Sequence, residues 1–301
     1  MTAQLTTRRR APRRNAGRNP VGYLFVAPYA LFLLALFAYP VGLAVYMAFH
    51  RYKFTAPGVD VPHPFVGLQN FRDALGDDAV QQAFVNIAIF LVINVPLTVV
   101  LSLVLATALN AKLRGRTFLR VAYYAPYLTA SVAIAGIWLF LFNSSGLVNN
   151  VLGSAAPRPS WLVNGTWAMP SVAGFVTWKQ LGFYVLLYLA ALQNVPKELY
   201  EAASMDGASA VKQFLVVTVP GVRHTTGLVT LLAIVTGANL FTEPYLLTGG
   251  GGPDGASASP VLLMYQLGIE QNRPDVAAAI GVVLVLGVLA IAGVQRLLDR
   301  G

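Results

Sequence analysis

The chain has no cysteine among its 301 residues, which excludes disulfides and thiolate metal sites. It also has little charge. Asp, Glu, Lys and Arg make up 11% of the residues, against about 25% in a soluble domain. That deficit is too large for a water-facing surface, so the bilayer is the expected solvent. Histidine is scarce: His50, His63 and His224 stand apart without ligand spacing. No His/Asp/Glu cluster marks the end of an apolar stretch, which argues against an integral membrane enzyme. There is no P-loop. The glycines of Thr248-Gly249-Gly250-Gly251-Gly252-Pro253 lack the following Lys-Ser/Thr, and no strand pattern precedes them. No internal repeat of about 20–50 residues is visible.

What is present is apolar. Hydrophobic residues account for 56% of the chain. Six stretches reach the roughly 20 residues needed to cross a bilayer, near 23–49, 83–109, 118–142, 170–192, 222–247 and 275–297. Pro40, Pro96, Pro126 and Gly182 fall inside them. Such residues are tolerated where neighbouring helices or polar side chains satisfy the freed carbonyls. The run from Tyr23 to Phe49 is far longer than the 7–15-residue core of a signal peptide, so it reads as an uncleaved first span.

The formal charge of +9 is distributed as an orientation signal, not as a nucleic-acid surface. With the N-terminus in the cytoplasm, residues 1–22 carry six basic residues, 110–120 four, 193–224 three, and the C-terminal end two, Arg296 and Arg300. The opposite side carries five: Arg51, Lys53, Arg72, Arg158 and Arg273. This asymmetry gives N-in and C-in. The expected architecture is an all-α integral membrane protein with six transmembrane helices. It comprises a basic cytoplasmic tail, 1–22, and a single transmembrane domain, 23–298.

Between the fourth and fifth spans lies a polar segment, 196–220, placed in the cytoplasm by the charge rule. Pro196 is suited to a first helical turn, and Glu198 and Glu201 lie near the positive end of the helix dipole. Leu199, Ala202 and Ala203 share one side. Gly207 ends the helix, because glycine takes the left-handed conformation cheaply. A second helix is expected from Ser209 to Thr218, with Val211, Phe214 and Leu215 as its apolar stripe. Pro220 then leads into the fifth span.

The series Glu201-Ala202-Ala203-Ser204-Met205-Asp206-Gly207-Ala208, closed by Val217, Val219 and Pro220, resembles the coupling loop of permease subunits of binding-protein-dependent ATP-binding-cassette (ABC) importers. That family has Ile and Leu where this chain has Val217 and Val219. The flanks resemble its carbohydrate branch, of maltose or glycerol-phosphate type: Trp178-Lys179, Gly182-Phe183, the Leu189–Gln193 run, Pro196–Glu201, and Leu247-Thr248 before the glycines. The resemblance covers roughly residues 20–300.

The resemblance implies a coupling helix that docks on a cytoplasmic ATPase through Glu201, Ala202, Ala203, Asp206, Gly207, Ala208 and Pro220. It implies a second, different permease chain, two nucleotide-binding ATPase subunits that hold ATP and Mg, and an extracytoplasmic solute-binding protein. This chain would then hold no cofactor, perform no catalysis and sit in a bacterial-type plasma membrane. The family's substrate contacts, carried over, fall at Val176, Lys179, Gln180, Phe183, Thr236, Gly237, Asn239 and Leu240. Lys179, Gln180, Thr236 and Asn239 can hydrogen-bond a polyol, and Phe183 and Tyr184 can stack on a sugar ring. Glu243, the one acidic residue inside a span, is expected to pair with Lys179. Asn86 and Asn94, eight residues apart, share a helix face toward packing or the path. A neutral sugar is expected, with glycerol-3-phosphate or a glycerophosphodiester as the alternative. A stand-alone secondary transporter is more distant, since it would show repeats and several intramembrane charges.

Overall fold

The computed structural model describes residues 20–59, 61–110 and 115–298. Most of the basic tail, 1–19, lies outside the described residues, as do 111–114 of the basic 110–120 segment. Among the described residues the regular structure is helical, and one isolated antiparallel bridge joins His50 to Phe65. The helices are α1 (Pro20–Leu33), α2 (Tyr39–Phe49), α3 (Gln69–Leu75), α4 (Asp78–Asn110), α5 (Arg116–Leu128), α6 (Ser131–Leu141), α7 (Leu147–Leu152) and α8 (Ala168–Leu192). They continue with α9 (Lys197–Met205), α10 (Ala210–Gln213), α11 (Val219–Gly221), α12 (Arg223–Ala238), α13 (Thr242–Leu247), α14 (Pro260–Tyr265) and α15 (Pro274–Leu298).

The chain separates into two compact units, residues 1–46 and 47–301. The first is an apolar helix whose Tyr23, Phe25, Leu31 and Phe37 are exposed. Its α-helical ladder widens into a π turn at Leu34–Ala38, where the amide of Tyr39 donates to the Leu34 carbonyl. The widening has a cause in the next residue. Pro40 has no amide proton, and in a regular α-helix its ring would clash with the carbonyl four residues earlier, at Leu36, inside the widened turn.

The second unit is organised around α4 and α8, which lie side by side. α4 has 33 residues, about 50 Å at 1.5 Å per residue, and overruns a hydrocarbon core of about 30 Å. It runs unbroken through Pro96. Asn94, buried within it, donates Nδ2 to Thr177 Oγ1 of α8 at 2.8 Å. Where α5 crosses α8, Gly182 is required. A Cβ there would collide with the Tyr123 carbonyl. Phe90, Phe175, Tyr184 and Tyr188 are the largest fully buried side chains. Near the far end of α8, the Tyr188 hydroxyl donates to Thr226 Oγ1 of α12 at 3.1 Å. Asn70, buried on α3, gives Nδ2 to the carbonyls of Met47, Ala48 and His50 at the end of α2.

Among the described residues four helices are long and apolar enough to cross a membrane: Tyr23–Phe49, Asp78–Asn110, Ala168–Leu192 and Pro274–Leu297. They match the first, second, fourth and sixth expected spans. The other two expected spans are interrupted. The third bends by 99° between Phe118–Leu128 and Ser131–Leu141. Thr129 and Ala130 are extended there, three residues past Pro126. The fifth stops at Ala238 and restarts at Thr242, where Pro244 fits a first helical turn. α12 alone has 16 residues, about 24 Å. It joins Ala210–Gly221 at a 73° bend.

Candidate coupling loop and solute path

α9 begins after Pro196, whose extended backbone stands at the N-cap. It ends in a Schellman motif: the amide of Ala208 donates to Ala203 O at 2.9 Å and that of Gly207 to Ser204 O at 3.0 Å. Gly207 supplies the left-handed residue, at φ +73°. A Cβ at Gly207 meets nothing within 4 Å, so the requirement is conformational and not one of space inside this chain. Gln213 Nε2 clamps the turn from the other side, donating to Ser204 Oγ and Ala208 O, both at 3.0 Å. The Tyr200 hydroxyl meets Thr218 Oγ1 at 3.0 Å and ties α9 to the segment leading into α12.

Glu201, Ala202, Asp206, Gly207 and Pro220 are exposed, and Ala203 and Ala208 are half-buried. Ala203 and Tyr200 pack toward the core. The opposite side carries Leu199, Ala202 and Met205, three residues apart and all exposed, Met205 to 90%. Met205 was not among the residues picked from the sequence, although its spacing from Ala202 continues the stripe. The second helix differs from expectation. α10 ends at Gln213, and Phe214–Thr218 form a π turn. The extra residue per turn changes the phase. Val211 and Leu215 face outward, while Phe214 is half-buried and Val217 and Thr218 are buried. The cause again lies downstream: Pro220 stands four residues after Val216, inside the widened turn.

Toward the middle of α8 the predicted path residues form two groups. In the first, Lys179 Nζ lies 3.0 Å from Glu243 Oε1 and 2.5 Å from Ser131 Oγ, with the Phe175 ring centroid at 5.9 Å. The expected ion pair is therefore formed, and it joins α8, α13 and the start of α6. Both side chains are 12% exposed. Pairing them offsets much of the cost of taking each charge out of water. Ser131 had no signal in the sequence; it reaches the pair because the chain restarts there after the 99° bend.

In the second group, the buried Tyr184 hydroxyl donates to Gln180 Oε1 at 3.4 Å. Phe183 is half-buried. It stacks on Tyr127 at 5.2 Å between centroids and meets Tyr184 edge-on at 5.3 Å. Thr236 and Asn239 are exposed, and Asn239 Nδ2 donates to its own helix at Val235 O, 2.8 Å away. Val176, Gly237 and Leu240 are buried. Gly237 sits where a Cβ would come within 2.9 Å of Phe90 Cε1, so it serves the α12–α4 contact. Asn86 is also a packing residue: its Nδ2 donates to Gly255 O at 2.7 Å and Ala258 O at 2.9 Å. No group of three or more metal-ligating side chains occurs among the described residues.

Comparison with known proteins gives a consistent picture. Residues 98–301 match the family model described as binding-protein-dependent transport system inner membrane component. The arabinooligosaccharides transport system permease protein AraP of Halalkalibacterium halodurans is 32% identical, over 91% of this chain and 86% of its own length. The sn-glycerol-3-phosphate transport system permease protein UgpA of Agrobacterium fabrum is 31% identical, over 91% and 92%. A chain of a bacterial ABC transporter involved in the import of the acidic polysaccharide alginate has the same fold. Its TM-score is 0.75 at 21% identity, covering 93% of this chain and 95% of that one.

Proposed function

Because the chain belongs to the family of binding-protein-dependent transport system inner membrane components, we propose that it is the permease subunit of an ATP-driven importer for a sugar or sugar-like solute. It crosses the plasma membrane six times, N-in and C-in, with the two bent segments as the third and fifth crossings. A second permease, two ATPase subunits that bind ATP and Mg, and an extracytoplasmic binding protein complete the machine. The coupling loop 196–220 transmits motion between the ATPase and the membrane helices. ATP and the loaded binding protein bias the same outward state, so their effects are reciprocal.

One observation carries this reading: an ordered helix, closed by a Schellman turn at Gly207, presents Leu199, Ala202 and Met205 with no partner from its own chain's core. Such a face on a fixed backbone is suited to the cleft of another protein. Gln180, Phe183, Tyr184, Thr236 and Asn239 lie around the solute path, with Lys179 and Glu243 as the pair that braces it. That pair leaves Lys179 no free charge for an anion, which favours a neutral sugar. The likeness to a glycerol-3-phosphate permease supports a phosphorylated solute as the second reading.

The test is co-expression with the cognate ATPase and second permease, followed by a pull-down on this chain in detergent, with and without Glu201→Lys. We expect a complex that the substitution disrupts. Recovery of this chain alone, stable and indifferent to the substitution, would sink the importer reading.

A further inference from the structure

A groove of about 740 Å³ opens between the start of α12 and the end of α15. Its two walls follow one pattern. On α12, Arg223 is followed four residues on by Gly227 and eight residues on by Leu231. On α15, Arg296 is preceded four residues back by Ala292 and seven back by Leu289. Each helix therefore lays a cation, a small residue and a leucine along one stripe, descending about 12 Å from Arg223 to Leu231. Gln295 Nε2 donates to Gly227 O at 2.7 Å and fixes the two stripes against each other. Beside them a Cβ at Gly293 meets nothing within 4 Å, so the middle of the groove is open.

The polar end carries two arginines. Arg223 and Arg296 are exposed, and among the described residues no acidic side chain lines the groove and the one ion pair is Lys179–Glu243. Arg223 is also the first residue of a 16-residue helix, whose free amides favour an anion. An anionic head above an apolar slot matches an amphiphile; a free inorganic anion would use the arginines and leave the leucines idle.

We propose that this groove binds an anionic phospholipid, its phosphate held between Arg223 and Arg296 and one acyl chain lying past Gly293 toward Leu231 and Leu289. The inference rests on the membrane placement given above, which sets both arginines at the cytoplasmic surface, where anionic lipid headgroups are attracted to basic residues. The lipid then joins the end of the sixth span to the start of the fifth, directly beyond the coupling loop.

Native mass spectrometry of the purified permease–ATPase complex tests it, after exchange into micelles holding equal amounts of dioleoylphosphatidylglycerol and dioleoylphosphatidylcholine. We expect preferential retention of phosphatidylglycerol, and a loss of roughly ten- to thirty-fold in Arg223→Gln/Arg296→Gln. Gly293→Leu keeps both charges and fills open space, and should also expel the lipid. Equal retention of the two lipids overturns the proposal, as does phosphatidylglycerol retained by the double variant. Displacement by excess inorganic phosphate, with no effect of Gly293→Leu, makes it a free-anion site and overturns it too. A complex that retains no lipid while the double variant separates the two permeases assigns the groove to the partner chain instead. ATPase co-purification is read in the same samples. Lipid retention without a bound ATPase would sink the importer reading and leave the groove standing; a bound ATPase with no lipid preference does the reverse.

Discussion

Residues 248–273 and residues 196–222 are both loops between apolar helices, but one closes on itself and the other does not. In the first, Ser257 Oγ donates to Thr248 Oγ1 at 2.7 Å, Gln266 Nε2 to Gly250 O at 3.2 Å, and Asn86 reaches up from α4 to two of its carbonyls. Gly249 to Gly252 all have positive φ, from 65° to 123°, a backbone in which the Gly250 carbonyl meets Gln266. Asn272 and Phe54 exchange two hydrogen bonds and tie the loop to residues 50–59. In the second loop the backbone is equally well bonded, while the side chains of Leu199, Met205, Val211 and Leu215 face outward. A loop that satisfies both its backbone and its side chains is structure for its own chain. A loop that fixes its backbone and leaves apolar side chains outward has the form of a surface for another chain, as proposed for the coupling loop.

The sharpest way to break this contrast is Gly207→Leu. The left-handed residue costs a side chain about 1–2 kcal/mol, and the leucine then projects into the docking face. We expect solute uptake to be abolished, with membrane insertion intact, while Gly207→Asn, which tolerates the left-handed conformation, retains most of it. Wild-type uptake by the leucine variant would remove the coupling role. Next in size is Glu243→Gln, which leaves the Lys179 charge half-buried without its counter-ion, at about 3–5 kcal/mol. Thermal unfolding in detergent should fall markedly, and Lys179→Met added to it should recover part of the loss; no recovery means that the two groups are not coupled. Asn86→Ala should cost about 1–3 kcal/mol by leaving the Gly255 and Ala258 carbonyls without donors, with ATPase co-purification unchanged. Loss of the ATPase in that variant would blur the distinction between the two loops. The smallest effect on stability is expected of Asn239→Ala, within about 0.5 kcal/mol for an exposed residue with one local bond. It should alter the affinity or rate of solute uptake, and identical uptake kinetics would take Asn239 off the path.

Much of this was legible in the sequence, where the signal is local. Long apolar runs gave four of the spans directly, and Gly207 marked the turn because few other residues adopt its backbone. Lys179 and Glu243 were readable as partners because charges inside an apolar span have few alternatives. What stayed hidden depends on contacts distant in sequence. The interruption after Ala238 is supported by Ser259, whose hydroxyl takes the Leu240 carbonyl freed there. Asn86 could serve packing or the path until its partners, 169 and 172 residues away, were in place. The stripe Val211, Phe214 and Leu215 was legible, but not the π turn at Phe214–Thr218, which brings Val217 and Thr218 into the core.

That segment, Phe214–Thr218, has a consequence for comparing relatives of this chain. A π turn is an α-helix with one residue inserted, and the helix beyond it keeps the direction it would have had without the insertion. A relative that lacks one residue here, and lacks Pro220 with it, can continue as a plain α-helix and still present the same faces of α12 to α4 and α8. A single-residue gap at this place in an alignment is then a change in local winding, and the residues on either side of it remain equivalent.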